Sequence, residues 1–246
     1  MNDEMVYGRN SVGELLKADK PINKILFQSE GTGGRYQELI EQAREKRIPF
    51  QFVEKSALDR LTEHAKHQGV MAYVAPRDYA SVDDLLALAR TKGEDPFILV
   101  LDEVEDPHNL GALIRTVDAV GAHGVIIPKR RSVGLTGTVA KTSAGAVEHV
   151  LVARVTNLVQ TLEELKKAGC WIAGAEAGGT EVFGTDLTGP RVLVIGSEGK
   201  GISRLVRETC DEMVSLPMKG KINSLNASVA GSILLYEVLR QRQLKK

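Results

Sequence analysis

The stretch Arg191-Val192-Leu193-Val194-Ile195-Gly196-Ser197-Glu198-Gly199-Lys200-Gly201 says most about the fold. An uninterrupted apolar run breaks into glycines, and a helical pattern follows at Ser203–Cys210. A short apolar run bounded by turn residues reads as a strand. Open α/β sheets bind ligands where such strands give way to helices. Glycines there let the backbone approach a bound group. Two phosphate-binding patterns fail on spacing. The P-loop runs G-x-x-x-x-G-K-[ST] and the dinucleotide fingerprint G-x-G-x-x-G. Here the order is G-x-x-G-K-G, so neither nucleotide hydrolysis nor a standard nicotinamide site is supported. A tight turn that caps the next helix accounts for the loop equally well.

The same alternation extends to both sides. Phe97–Leu101 is another continuous apolar strand, and Asp106-Pro107 reads as N-cap and first helical residue. Leu110, Leu113, Ile114 and Val117 give the helix after it a core face. Further strands are expected at Gly124–Pro128, Val150–Arg154, Trp171–Ala175 and Met213–Leu216. Helices are expected at Leu158–Ala168 and Asn226–Gln241. This predicts an α/β unit over residues 97–246 with a mostly parallel, doubly covered sheet. Residues 1–76 give a smaller α/β unit. Its helices are Asn10–Ala18, Tyr36–Arg47 and one capped by Ser56 through Leu61; its strands are Lys24–Gln28, Phe50–Val53 and Val70–Val74. Residues 77–96 read as a linker with one helix, Val82–Thr91, capped by Ser81 and stopped at Gly93.

At 246 residues the chain can bury a real core without staples. It has 32 basic and 32 acidic side chains and 43% hydrophobic residues, which excludes disordered, collagenous and coiled-coil classes. No apolar run approaches the ~20 residues of a membrane span, and MNDEMVYGRN does not read as a secretory signal. Two distant cysteines, Cys170 and Cys210, form no disulfide framework or zinc pattern and fit a reducing cytoplasm. His64 and His67 lack a third ligand nearby, so no metal is expected. Charge is balanced regionally, with 12 basic and 12 acidic residues in 1–80 and 18 against 16 in 97–246. The one local excess is Lys129-Arg130-Arg131, a solvated turn or a phosphate contact.

Two further segments join the glycine loop. One is Leu101-Asp102-Glu103-Val104-Glu105-Asp106-Pro107-His108-Asn109-Leu110-Gly111-Ala112, running on to Arg115. The other is Ser215-Leu216-Pro217-Met218 with Asn223-Ser224-Leu225-Asn226-Ala227-Ser228. In this order, each leaving a strand, the three motifs resemble the SpoU branch of the SPOUT RNA methyltransferases. Val6-Tyr7-Gly8-Arg9-Asn10-Ser11-Val12 and His67-Gln68-Gly69-Val70 look like the bounds of the RNA-binding domain of RlmB-like enzymes, which methylate a guanosine ribose 2′-hydroxyl of 23S rRNA. The tRNA-specific TrmH enzymes usually lack that domain, so its presence favours rRNA.

The resemblance implies a trefoil-knotted C-terminal unit that binds S-adenosylmethionine through Gly196, Leu216, Met218 and Leu225, without a metal. It assigns the central catalytic role to Arg115, supported by Asn109, Glu198, Ser224 and Asn226. Arginine is too basic for an ordinary base at neutral pH. Phosphate binding, with an electrostatic lowering of the hydroxyl's pKa, and a phosphate-perturbed base both remain open. With RNA as partner, Arg9, Asn10, Lys129, Arg130 and Arg131 become candidate RNA contacts. Capping of the first helix competes for Arg9 and Asn10. A homodimer through the knotted unit is also implied. The alternatives are the same chemistry on tRNA, a non-catalytic RNA-binding protein, and a nucleotide-dependent metabolic enzyme.

Overall fold

The computed structural model describes residues 4–18, 20–29, 36–222 and 224–244. They form two compact units, Met1–Asp78 with Gly134–Thr138, and Tyr79–Val133 with Val139–Lys246.

The smaller unit is built on a four-stranded sheet. Its strands are β1 (Glu4–Tyr7), β2 (Ile22–Gln28), β3 (Phe50–Val53) and β4 (Val70–Val74), in the order β1-β4-β2-β3. β4 runs antiparallel to both β1 and β2, while β3 is parallel to β2. Helices α1 (Arg9–Lys17), α2 (Gln37–Glu45) and α3 (Lys55–Leu61) accompany it. Val12, Leu16, Ile25, Phe27 and Val70 share one core. Each such side chain contributes roughly 1.5–3 kcal/mol on full burial. Ser56 is not the cap of α3. The helix begins at Lys55, so Ser56 lies inside its first turn, and Glu54, extended at φ −64°, holds the cap position. Ser56 instead donates to the Glu54 carboxylate at 3.3 Å.

The larger unit is a six-stranded parallel sheet in the order β10-β8-β9-β5-β6-β7. The strands are β5 (Phe97–Leu101), β6 (Gly124–Pro128), β7 (Val152–Val155), β8 (Trp171–Glu181), β9 (Arg191–Ile195) and β10 (Glu212–Ser215). The helices are α4 (Val82–Lys92), α5 (Pro107–Val120), α6 (Gly137–Thr142, in this unit from Val139 on), α7 (Leu158–Lys167), α8 (Arg204–Thr209) and α9 (Ala227–Leu244). Every residue of central strands β5 and β9 is buried, as a two-sided parallel strand requires.

α4 lies in the segment 77–96. Ser81 and Asp84 form a reciprocal capping box, and Gly93 ends the helix at φ 65°. Leu85 and Ala89 are fully buried, and Leu85 packs with Ile98, Val100 and Ile126. The segment thus supplies core to the larger unit. β8 is longer than its sequence predicts, running to Glu181 past Gly178 and Gly179. A Cβ on Gly179 would lie 2.7 Å from the Met213 backbone, so β8 and β10 approach too closely there for a side chain. No described helix is long and apolar enough to cross a membrane.

Candidate active site

The loops leaving β5, β9 and β10 carry the three sequence motifs. α5 starts with Asp106, whose Oδ1 accepts the His108 N–H at 2.9 Å, followed by Pro107 at the first turn. This start places Asn109 inward, at 7% exposure. The chain then crosses from β9 into a tight turn in which Ser197 and Gly201 exchange backbone hydrogen bonds of 3.1 and 2.9 Å. Gly196 has to be glycine for steric reasons. A Cβ there would stand 2.1 Å from the Gly201 carbonyl carbon. Asp102, buried at the end of β5, accepts the Ser203 N–H at 2.7 Å and fixes the far side of this turn.

Asn109, Glu198 and Asn226 meet. Asn109 Nδ2 donates to Glu198 Oε1 at 2.9 Å, and Asn226 Nδ2 donates to Asn109 Oδ1 at 3.0 Å. Asn226 Nδ2 also donates to Glu198 Oε1, as does the Ala227 N–H at 3.4 Å. Asn226 Oδ1 in turn accepts the Ser228 and Val229 N–H groups at 2.9 and 3.2 Å and so caps α9. The Glu198 carboxylate therefore sits against the positive end of an 18-residue helix. One residue from each motif closes a single hydrogen-bonded ring.

The ring borders a cavity of about 270 Å³ lined by Glu103, Glu105, Asp106, Glu198 and Lys200 among others. Its wall is acidic. Glu103 adopts φ 56° and accepts a 2.9 Å ion pair from Arg131. A non-glycine residue in that conformation costs of order 1–3 kcal/mol and persists only where its surroundings enforce it. The Glu103 carboxylate raises the Arg131 pKa further above its ordinary value.

The remaining candidates are more dispersed. Arg115 is exposed on α5, with no hydrogen bond to the ring among the described residues. Ser224 is exposed, Leu216 half-buried, and Met218 and Leu225 expose 37% and 40% of their surface. Asn223 of the third motif lies outside the described residues. Arg130 is exposed, and Lys129 donates its backbone N–H to the Val155 carbonyl. Arg9 and Asn10 are exposed at the start of α1. Sequence reasoning missed Asp102 as a fastener and Thr116, whose hydroxyl lies 2.8 Å from that of Ser232 and links α5 to α9. An acid directly after the apolar run Phe97–Leu101 was the signal for Asp102. Among the described residues no three His, Cys, Asp or Glu side chains form a metal-binding group.

The SpoU rRNA Methylase family matches residues 96–236, and the RNA 2′-O ribose methyltransferase substrate-binding family matches residues 5–80. The chain belongs to the SpoU/TrmH family of RNA methyltransferases. A Bacillus subtilis (strain 168) relative assigned to the TrmH family of tRNA/rRNA methyltransferases is 53% identical over 240 residues, covering 97% of this chain and 96% of its own. A Staphylococcus aureus (strain MSSA476) relative with the same assignment is 49% identical, covering 98% of each chain. Among solved structures, the SpoU methyltransferase AviRb from Streptomyces viridochromogenes, in complex with AdoMet, matches at TM-score 0.62 and 27% identity over 98% of this chain and 91% of that one. The A. aeolicus TrmH/SpoU tRNA modifying enzyme matches at TM-score 0.55 and 33% identity over 61% of this chain and 77% of that one.

Proposed function

We propose that this protein methylates the ribose 2′-hydroxyl of a guanosine in 23S rRNA, with S-adenosylmethionine as donor. The observation that carries this reading is the ring of Asn109, Glu198 and Asn226, which draws one residue from each motif into one place. The site suits the donor. Gly196 leaves no room for a side chain against the backbone of Gly201, so the turn after β9 closes tightly on itself beside the ring. Leu216, Met218 and Leu225 are apolar side chains left partly uncovered on the loops after β10, as a flat aromatic ligand requires. When bound, S-adenosylmethionine supplies an electrophilic methyl group on a sulfonium. The acidic wall formed by Glu103, Glu105, Asp106 and Glu198 favours a cation there over an RNA phosphate.

The protein's own task is to position the ribose hydroxyl and remove its proton. Asn109, Glu198 and Asn226 hold the loops in register. Arg115 is the cation assigned to the substrate. Bound to a neighbouring phosphate, its guanidinium would lower the hydroxyl's pKa by a charge effect. Gly196, Leu216, Met218 and Leu225 would hold the donor so that its methyl could pass to the ribose oxygen, and the hydroxyl proton would leave to water. Arg9 and Asn10 in the smaller unit, and Lys129, Arg130 and Arg131 in the larger, are the proposed RNA contacts; Arg131 must share its charge with Glu103.

We place the protein in the cytoplasm, where the free thiols of Cys170 and Cys210 stay reduced. We also propose a homodimer through α9. That helix is apolar on both sides: Gly231, Leu234, Leu235 and Val238 face the core, while Val229, Ile233 and Tyr236 are exposed at 47%, 38% and 52%. A helix apolar all round calls for cover on its second face. Light scattering should show twice the chain mass, and Tyr236→Glu should shift it to monomer. A wild-type monomer at working concentration refutes the dimer.

The test of function is transfer of labelled methyl from S-adenosylmethionine to unmodified 23S rRNA and tRNA transcripts side by side. Label in one 23S guanosine is expected. Label only in tRNA overturns the substrate, and label in neither overturns the activity.

A further inference from the structure

The smaller unit contains a cavity of about 690 Å³ that the methyltransfer site does not use. It is lined by Arg9 and Asn10 at the start of α1, Lys55 and Asp59 on α3, Tyr36, and the loop Ala65-Lys66-His67-Gln68-Gly69. Three cations face one carboxylate across it. That carboxylate is already engaged, because Asp59 Oδ1 lies 2.8 Å from His67 Nε2. The other ring nitrogen, Nδ1, accepts the Gly69 N–H at 2.9 Å, so Nε2 carries the proton and donates to Asp59. His67 adds no charge in this arrangement, and the lining stays positive. Among the described residues neither Arg9 nor Lys66 has a carboxylate partner.

The loop that shapes the cavity is held rigidly in an unfavourable backbone conformation. Glu63, His64 and Gln68 all adopt φ between 52° and 61°, and Gly69 adopts φ 77°. Four contacts enforce it: His64 N–H to the Asp59 carbonyl at 2.7 Å, Gly69 N–H to His67, Tyr36 hydroxyl to the Gln68 carbonyl at 3.1 Å, and Arg9 N–H to Gln68 Oε1 at 3.0 Å. A Cβ on Gly69 would stand 1.9 Å from the Tyr36 hydroxyl, so only glycine closes the turn. Such strain persists where the surroundings over-determine it, and it concentrates at ligand sites.

We propose that this cavity receives one unpaired nucleotide of the RNA substrate, its phosphate held between Arg9 and Lys66 at the positive end of α1. The volume falls in the ~300–1,000 Å³ range of small-ligand sites, which admits a nucleotide and excludes a duplex. Proteins read RNA sequence mainly from unstacked nucleotides of loops and bulges. A helix start beside two cations that have no carboxylate partner among the described residues is a ready anion site. Asn10 and Gln68 bring side-chain amides that can meet a base edge. The inference rests on RNA being the substrate and adds the place where the smaller unit reads it.

The test uses the full chain, S-adenosylmethionine and unmodified 23S rRNA and tRNA transcripts. Ala65→Trp fills the cavity without changing charge. Arg9→Ala with Lys66→Ala removes the phosphate contacts without filling the cavity. Lys20→Ala is a control outside the cavity. RNA affinity as a function of salt, KM and kcat for methyl transfer, cofactor affinity and the melting curve are measured for each. Ala65→Trp should raise Kd and KM for RNA about tenfold or more, with the salt slope, kcat and cofactor affinity unchanged. The double alanine variant should do the same and also flatten the slope of log K against log salt by about 0.7 per contact. Wild-type affinity in a folded Ala65→Trp protein overturns the cavity's role, and so does an unchanged salt slope in the double variant. RNA binding that depends on the cavity, with no methyl transferred, upholds this inference and refutes the enzymatic reading.

Discussion

Replacing Glu198 tests whether the ring across the three motifs organises the site. Glu198→Ala removes the acceptor for Asn109 Nδ2, Asn226 Nδ2 and the Ala227 N–H. Asn109 is nearly buried, and a buried donor left without its partner costs about 1–3 kcal/mol. The adjoining cavity of about 270 Å³ admits water, which places the cost in the lower half of that range. Loss of the carboxylate at the start of α9 adds ~0.3–1 kcal/mol. The sum, about 1–3 kcal/mol, corresponds to a melting shift of roughly 2–4 °C per kcal/mol for a domain of this size. Glu198→Gln keeps an oxygen that can accept the same donors and should recover most of the stability. If the ring positions Asn109 and the third motif for transfer, kcat in Glu198→Ala should fall about ten- to thirtyfold, the equivalent of ~1.4–2 kcal/mol. Calorimetry and single-turnover methyl transfer read the two effects separately. A Glu198→Ala protein melting within about 1 °C of wild type, at full kcat, would refute the ring's role.

Three further changes follow from the same geometry. Gly196→Ala should abolish cofactor binding in a protein whose smaller unit still folds, because its Cβ would meet backbone 2.1 Å away; calorimetric titration at wild-type affinity contradicts this. Arg115→Ala should leave stability within ~0.5 kcal/mol, since the side chain is exposed, yet lower kcat about 100-fold or more with cofactor affinity intact; unchanged turnover removes Arg115 from the mechanism. Burial pushes the His123 pKa below its ordinary 6.5, and the Glu94 contact only partly opposes it. The unfolded ring thus takes up a proton that the folded ring resists, so this contribution is complete above pH 6.5 and declines as pH falls from there toward the folded pKa. Urea midpoints should fall with acidification over that interval, and less steeply in His123→Gln; parallel slopes would exclude His123 as the source.

Burial explains which elements could be read from sequence. Phe97–Leu101 and Arg191–Ile195 are buried at every position, and apart from Arg191 every residue in them is apolar, so each announces itself as a strand. β1 does not. It is four residues long at the edge of its sheet and, among the described residues, pairs only with β4, more than sixty positions away. α6 reads Gly-Thr-Val-Ala-Lys-Thr, a poor helix by intrinsic preference, and is fastened by packing: Val139 is buried and Thr142 donates to the Pro107 carbonyl at 3.3 Å. β7 begins at Val152, two residues later than its pattern predicts, because the 3-10 turn at Ala146–Glu148 and His149 come first. Residue types at the candidate site were legible as motifs. Their partnerships were not, since Asn109, Glu198 and Asn226 meet across separations of 28 to 117 residues. The same holds for Asp102 with Ser203.

The central claim is that the methyl goes to a ribose 2′-oxygen, and alkaline hydrolysis of the labelled RNA tests it most directly. RNA chains break in alkali because the 2′-hydroxyl attacks the adjacent phosphodiester, and a methylated oxygen cannot attack. Label transferred by this enzyme to 23S rRNA should therefore emerge in an alkali-resistant dinucleotide whose 5′ residue is guanosine. Label released in an ordinary mononucleotide would place the methyl on a base and contradict the account.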